Sequence, residues 1–430
     1  MNMRIYYRLF LIPLIGFLAF PGIVSAQTPP YQSVYYVDGS KTPETYRSTN
    51  SIEALNRDQN AVMVDNGALL SMTWMRIHKT AGTASVDSKT YPGLNAAVLS
   101  INGSKIEMDN CSVSSHSGQS DVVSSVGKGS RLMVTKGTYQ SSRTNSPVMA
   151  AYSGGAVQVE GVNASSGDSH SPLIYSIGDG SSVTVNGVKG HTAGIVSPVF
   201  RGSGAIIASD CRISSNASNY VTIEESGNIM LVDCNLLDAV DGAILAMNMQ
   251  GVPSAKPSRL DIQESSITVK KGDLINAVNC NSEIVLQKNK ISIPKDGAFI
   301  RAIDNDFGEK GKNGGHVKVS LLKQAVTGNV IVNDISSAVI ELGKGSTMKG
   351  AVNPKGKGGR VEIFLAKGAV WASKSASNIT VIRFEQPVEK GVKQIKSKGD
   401  IVYDAADLAN APLGGREFKL AGGGILRPAR

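Results

Sequence analysis

A slot that recurs about every 25 residues limits the fold of this 430-residue chain more than any other feature. Aligned on Cys211, the segments GSKIEMDNCSV, GSRLMVTKGTY, GGAVQVEGVNA, GSSVTVNGVKG, GAIIASDCRI, GNIMLVDCNL, PSRLDIQESSI and NSEIVLQKNKI share one pattern. They fill the slot in turn with Cys111, Gly137, Val162, Val188, Cys211, Cys234, Ser265 and Asn289, at intervals of 26, 25, 26, 23, 23, 31 and 24 residues. ALLSMTWMRI places Met75 there one turn earlier, followed by TAGTASVDSKTYPGLN as an inserted loop.

Within each unit apolar residues alternate, as in Ile106 and Met108 or Ile284 and Leu286, the period-two signature of a strand with one buried face. A second alternating run follows in most units (SPVMAAYS, SPLIYSI, SPVFRGS, DGAILAM), with Ser-Pro at 146, 171 and 197, where Pro suits the start of a strand. With 46 glycines and hardly any helical periodicity, such a unit reads as one turn of an all-β parallel β-helix. About ten turns of ~25 residues are expected, then shorter C-terminal ones, stacked ~4.8 Å apart. A propeller blade needs ~40 residues, and the leucine-rich and calcium-binding repeat signatures are missing.

The slot explains the cysteines. Where Val162, Val188 and Met75 also fit, Cys211 and Cys234 are expected to point inward on adjacent turns as small hydrophobes. A disulfide between them is a weaker alternative, since stacked α-carbons are close enough but parallel β-carbons sit too far apart for a relaxed bridge. No Cys/His spacing suggests a metal, and nothing calls for a cofactor.

Residues 1–26 read as a secretory signal peptide, with Arg4 and Arg8, the apolar LFLIPLIGFLAF and a small-residue Val24-Ser25-Ala26 site. The mature chain is therefore expected to be exported (periplasmic, secreted or at the cell surface) with no transmembrane segment. Residues 27–60 read as a polar N-terminal cap holding the best short helical stretch, 61–305 as main turns and 306–398 as shorter turns. Residues 399–430 read as a loosely folded Gly/Ala-rich tail. With 44 basic and 35 acidic residues and lysines read as spread along the chain, the charge fits a solvated surface or attraction to acidic glycans or anionic envelopes. No basic helical stripe, RNA-binding or zinc-finger signature points to nucleic acid.

GNVIVNDISSAVIELGKGSTMKGAVN, the strand ending at Trp371 and SASNITVIRF resemble the C-terminal turns of bacterial adhesin-like β-helix proteins and pertactin-like autotransporter passenger domains. VYYVDGS, NAVMVDNGALL and GLNAAVLSINGSKI resemble the N-terminal turns of the adhesin-like group. The resemblance implies right-handed winding and a surface role binding glycan or a host or envelope protein. The chain departs from the autotransporter pattern in ending at ILRPAR without a following membrane β-barrel.

Many β-helices cleave polysaccharides, but no Asp-Asp, His-Gly or Arg-x-Lys set occurs here. The histidines at 78, 116, 170, 191 and 316 read as loop or strand-end residues with no shared column. Arg301, Asp304 and Asp306 are the enzyme alternative, because paired carboxylates can divide acid and base duties. A binding face is easier to place: with Val98, Val123, Met149, Ile174, Phe200, Leu245, Ile275 and Ile300 inward, the outward column is Leu99, Ser124, Ala150, Tyr175, Arg201, Ala246, Asn276 and Arg301. Of these, Tyr175, Arg201, Asn276 and Arg301 suit a chain-like glycan. Two classes stay open, a non-catalytic adhesin-like module and a carbohydrate-active enzyme.

Overall fold

A computed structural model describes residues 31–39, 44–47, 51–86, 90–306, 308–356 and 358–429. The expected signal peptide and the first residues of the expected cap lie outside them. The described chain winds into a parallel β-solenoid whose main turns each give one strand to each of three sheets. The first sheet has twelve strands, from Gln32–Asp38 to Val330–Val332; the second has fourteen, from Glu44–Arg47 to Val381–Phe384; the third has ten, from Ser51–Ala54 to Lys290–Ser292. Beyond it a four-stranded sheet, Ala325–Thr327 to Ile395–Ser397, lines the shorter turns. Thirteen steps of ~4.8 Å along the second sheet make a rod roughly 60 Å long.

Strict register drives the packing. Val183, Ile206, Ile229, Leu260 and Ile284 form one inward column, each no more than 1% exposed. Burying one such side chain stabilises the fold by about 1.5–3 kcal/mol. Trp371, inward on the fourth sheet, donates its Nε1–H to the Gly350 carbonyl at 2.9 Å.

The corner between the second and third sheets accounts for the Asp-Cys pairs. The residue before the slot is left-handed on every turn from Trp74 to Lys323, with φ of 51° at both Asp210 and Asp233. Asn, Asp and Gly reach that region most readily, so Asp makes the bend and the next residue is turned inward. Met75, Cys111, Val162, Val188, Cys211 and Cys234 are all buried there. All four cysteines are free, and contact between the Cys211 and Cys234 thiols, with burial, raises the pKa of Cys211. The corner before the first sheet repeats the device: left-handed Asn145, His170 and Val196 precede Ser146, Ser171 and Ser197. The backbone N–H of Ser146 donates to Ser171 Oγ, and that of Ser171 to Ser197 Oγ, both at 3.0 Å. These are the recurrent Ser-Pro serines, stacked as a buried ladder.

Both ends differ from expectation. No helix forms in the described part of 27–60; Gln32–Asp38 and Ser51–Ala54 are strands paired with the next turn, because alternation of Ile52 and Ala54 toward the interior outweighs local helical preference. The tail after 399 is packed, not loose: Ile401–Tyr403 pairs with Ser377–Asn378, Ile425–Pro428 pairs with Ile401–Tyr403, and Ile401, Tyr403, Leu413 and Leu426 are buried. Its glycines permit this approach, since a Cβ at Gly422 would lie 2.2 Å from the Ser397 carbonyl oxygen. An antiparallel pairing of Phe418–Lys419 with Ile425–Pro428 closes the end.

Candidate functional site

The outward face of the first sheet is covered over the strands Val98–Ile101, Val123–Val126 and Met149–Tyr152. Leu99, Ser124 and Ala150 are outward as expected, yet each is 0% exposed, because Gly93 at the end of the 80–95 insertion lies against Leu99 and Ser124, and Ala150 packs in a cluster with Tyr31, Tyr152 and Tyr175. Gly93, at φ 75°, sits so close that a Cβ there would meet Leu99 Cδ1 at 2.6 Å. Tyr31 clamps the insertion, donating its hydroxyl to the Pro92 carbonyl at 2.9 Å, and a small outer cluster of Met63, Leu99, Ile101, Val126, Ala150 and Tyr152 forms beneath.

Asp121 is 3% exposed under this cover, and its carboxylate accepts from the Ser124 and Tyr152 hydroxyls. No cation pairs with it among the described residues, and burial pushes its pKa up to about 6 despite both hydrogen bonds. Tyr152 also meets Tyr175 edge-on, ring centroids 5.8 Å apart.

Past the cover the column opens into a cleft of about 430 Å³, within the range of ligand sites. Pro92 of the insertion forms one wall, and residues 248–250 form the other. That second wall belongs to a ten-residue excursion, 248–257, held where Asn279 Nδ2 donates to the Asn248 carbonyl at 2.9 Å. Tyr175 and Arg201 line the cleft together. Arg201 Cζ lies 5.9 Å from the Tyr175 ring centroid, and its guanidinium meets Glu224 Oε1 through Nε at 2.9 Å and Nη2 at 2.7 Å. Burial acts against the Arg201 charge, but Glu224 and Tyr175 outweigh it and hold the group protonated. Burial and the Arg201 charge lower the pKa of nearby His170.

The structure thus brings Tyr175 and Arg201 together but leaves Asn276 and Arg301 outside this cleft, further along the same column. The column itself needs correction. Ile244 is inward and Leu245 outward, so Leu245 and not Ala246 stands beside Arg201's column neighbour Thr222. The expected column omits the turn carrying Thr222 and Glu224, because Asn219-Tyr220 replaces Ser-Pro at its start. A visible signal for the second wall is the 31-residue interval before Ser265.

Arg301, Asp304 and Asp306 do not share one interaction. Arg301 Nε meets Asp273 Oδ2 at 2.6 Å, Asp304 Oδ1 accepts from Asn333 Nδ2 at 2.5 Å, and Asp306 is exposed. The histidines also differ from expectation: His78 and His191 are within strands and occupy one outward column of the third sheet, through Ser114, Gln140 and Ser165. His78, His116 and His316 each bond a serine hydroxyl, Ser114, Ser142 and Ser337, at 2.8–2.9 Å. No group of three or more His, Cys, Asp or Glu side chains among the described residues could hold a metal.

No protein-family model, curated protein or solved structure matches the chain. No helix among the described residues is long and apolar enough to cross a membrane.

Proposed function

We propose that the protein is an exported, adhesin-like β-helix module that binds a saccharide without cleaving it, seated in the cleft over Tyr175 and Arg201. The carrying observation is the cleft's construction: two departures from the repeat, the 80–95 insertion and the 248–257 excursion, wall off the one stretch of the column where Tyr and Arg meet. Aromatic ring faces with forked polar donors suit sugar rings, whose faces are apolar and whose rims carry hydroxyls. The Arg201–Glu224 pair supplies both donors and an acceptor at one place. The surface role and the export follow the resemblance and the leader-like first 26 residues.

Calorimetric titration of the purified chain against neutral and acidic oligosaccharides tests this reading. At least one saccharide is expected to bind, and Tyr175→Ala and Arg201→Lys to weaken it by roughly tenfold with unchanged melting. Reducing-end release abolished by Arg301→Ala or Asp304→Ala would instead make the protein an enzyme.

A further inference from the structure

Charge is unevenly distributed along the rod. Residues 307–430 contain 20 basic and 10 acidic side chains, whereas residues 1–306 contain 24 and 25, so the whole excess belongs to the last turns. The lysines are therefore not spread evenly, as the whole-chain total suggested.

Register concentrates them further. Lys323, Lys344 and Lys367 stand at one corner on three consecutive turns, directly beyond the paired residues Leu321, Leu342 and Leu365. Their stems run along the rod: a Cβ at Gly345 would lie 3.9 Å from Lys323 Cγ, and one at Gly368 3.8 Å from Lys344 Cγ. On the adjoining outward face of the fourth sheet, Lys349 and Lys396 occupy one column, separated by Ala372. All five are exposed, and none makes an ion pair among the described residues. The strands of that face carry no acidic side chain; Glu385, which accepts from the Lys367 backbone N–H at 2.5 Å, stands at the end of the ladder. Stacking like charges in register is unfavourable unless something of opposite charge is bound.

We infer that this lysine ladder and the fourth-sheet face beside it are a docking surface for a linear acidic polysaccharide, separate from the cleft. The occupant is argued from charge and shape: lysines borne on turns whose backbones stack ~4.8 Å apart offer successive cations along the rod, and a carboxylated or sulfated glycan offers successive anions along its chain. Lysine, a compact and mobile point charge, suits such a polymer better than it suits one fixed bidentate partner.

The test is binding of the full chain to polygalacturonate and to heparin at several salt concentrations. Replacing Lys323, Lys344 and Lys367 together by Gln is compared with the same replacement of Lys105, Lys128 and Lys189, which changes net charge equally. The ladder variant is expected to lose roughly tenfold in affinity and to show a flatter salt dependence, while the control loses less than about twofold; melting curves check that both fold. Equal losses in the two variants, or binding confined to phosphatidylglycerol vesicles, overturn the inference. In a Tyr175→Ala background the ladder replacement should still lower polygalacturonate affinity by the same factor, so loss of cleft binding and loss of ladder binding are read separately.

Discussion

The same inward slot is built in two ways. From Met75 to Cys234 it holds thioether, thiol and isopropyl groups, with glycine at 137, and its contacts across turns are long thiol ones, Cys111 Sγ to the Met72 carbonyl at 3.7 Å and Cys234 Sγ to the Ala208 carbonyl at 3.8 Å. From Ser265 onward it is a polar ladder: the backbone N–H of Cys234 donates to Ser265 Oγ, that of Ser265 to Asn289 Oδ1, that of Asn289 to Gln324 Oε1 and that of Gln324 to Ser346 Oγ. The bend is alike in both regions, since Asp210, Asp233, Glu264, Lys288 and Lys323 are all left-handed. Backbone geometry is thus set by the residue before the slot, and the slot itself can take either apolar contact or hydrogen bonding, provided the choice is complete on each turn.

The sharpest break in the shared framework would come from the column both regions rely on. Ile206 is fully buried between Val183 and Ile229, so Ile206→Asp places an unpaired charge in the interior and should cost several kcal/mol, enough to threaten folding. Ser182→Asp, outward beside Ala156 and Ala205, should shift stability by under ~0.5 kcal/mol. Chemical denaturation of the two variants checks the register; equal shifts would refute it.

A second contrast sets the covered part of the first sheet against its open cleft. Asp121, buried with no cation beside it among the described residues, has a pKa raised to about 6 in the fold against 3.8 as a free side chain. The folded state therefore holds the proton more tightly, and stability falls as pH rises from about 4 through 6. The full penalty above that window is on the order of 3 kcal/mol. Asp121→Asn should remove this dependence, raising the melting temperature at pH 7 and leaving it little changed at pH 4. A wild-type stability that is flat between pH 4 and 7 would show that the carboxylate is solvated.

The solenoid was legible because alternation and slot recur in phase, and because inward columns tolerate any apolar side chain of moderate size. Tyr175 and Arg201 were legible for the same reason, since period two assigns their side. Glu224 was not, because Asn219-Tyr220 stands before its strand in place of Ser-Pro and its partner Arg201 lies 23 residues away. The ordered tail was hidden by composition: glycine there marks close backbone approach, as at Gly422 and Gly424, and not looseness. The excess of lysine in the last turns was present in the sequence, but a whole-chain total conceals a difference between two ends.

The polar half of the slot should be the more sensitive to removal. Gln324 accepts from the Asn289 backbone N–H at 2.7 Å and donates from Nε2 to the Asn289 carbonyl at 3.0 Å. Gln324→Leu keeps the volume but leaves that N–H buried and unpaired, at an expected cost of about 1–3 kcal/mol in thermal or urea unfolding. A neutral outcome would mean that the ladder contributes shape alone.

The apolar half should hardly respond to a comparable change. Cys211 and Cys234 are each 2% exposed and free, and their thiols are weak donors, that of Cys211 to the Ser209 carbonyl at 3.2 Å and that of Cys234 to the Val232 and Ala208 carbonyls at 3.4 and 3.8 Å. Replacing both with Val repeats what Val162 and Val188 already do in the same slot and should change stability by less than ~1 kcal/mol. Thiol reagents should label the pair only after denaturation, because neither sulfur meets solvent. A disulfide closing the 23-residue interval would instead contribute roughly 3 kcal/mol. Peptide mass analysis of unreduced protein separates the two: a linked 211–234 pair would make the slot a covalent staple in this region, and the difference between its two halves would then be chemical rather than one of packing.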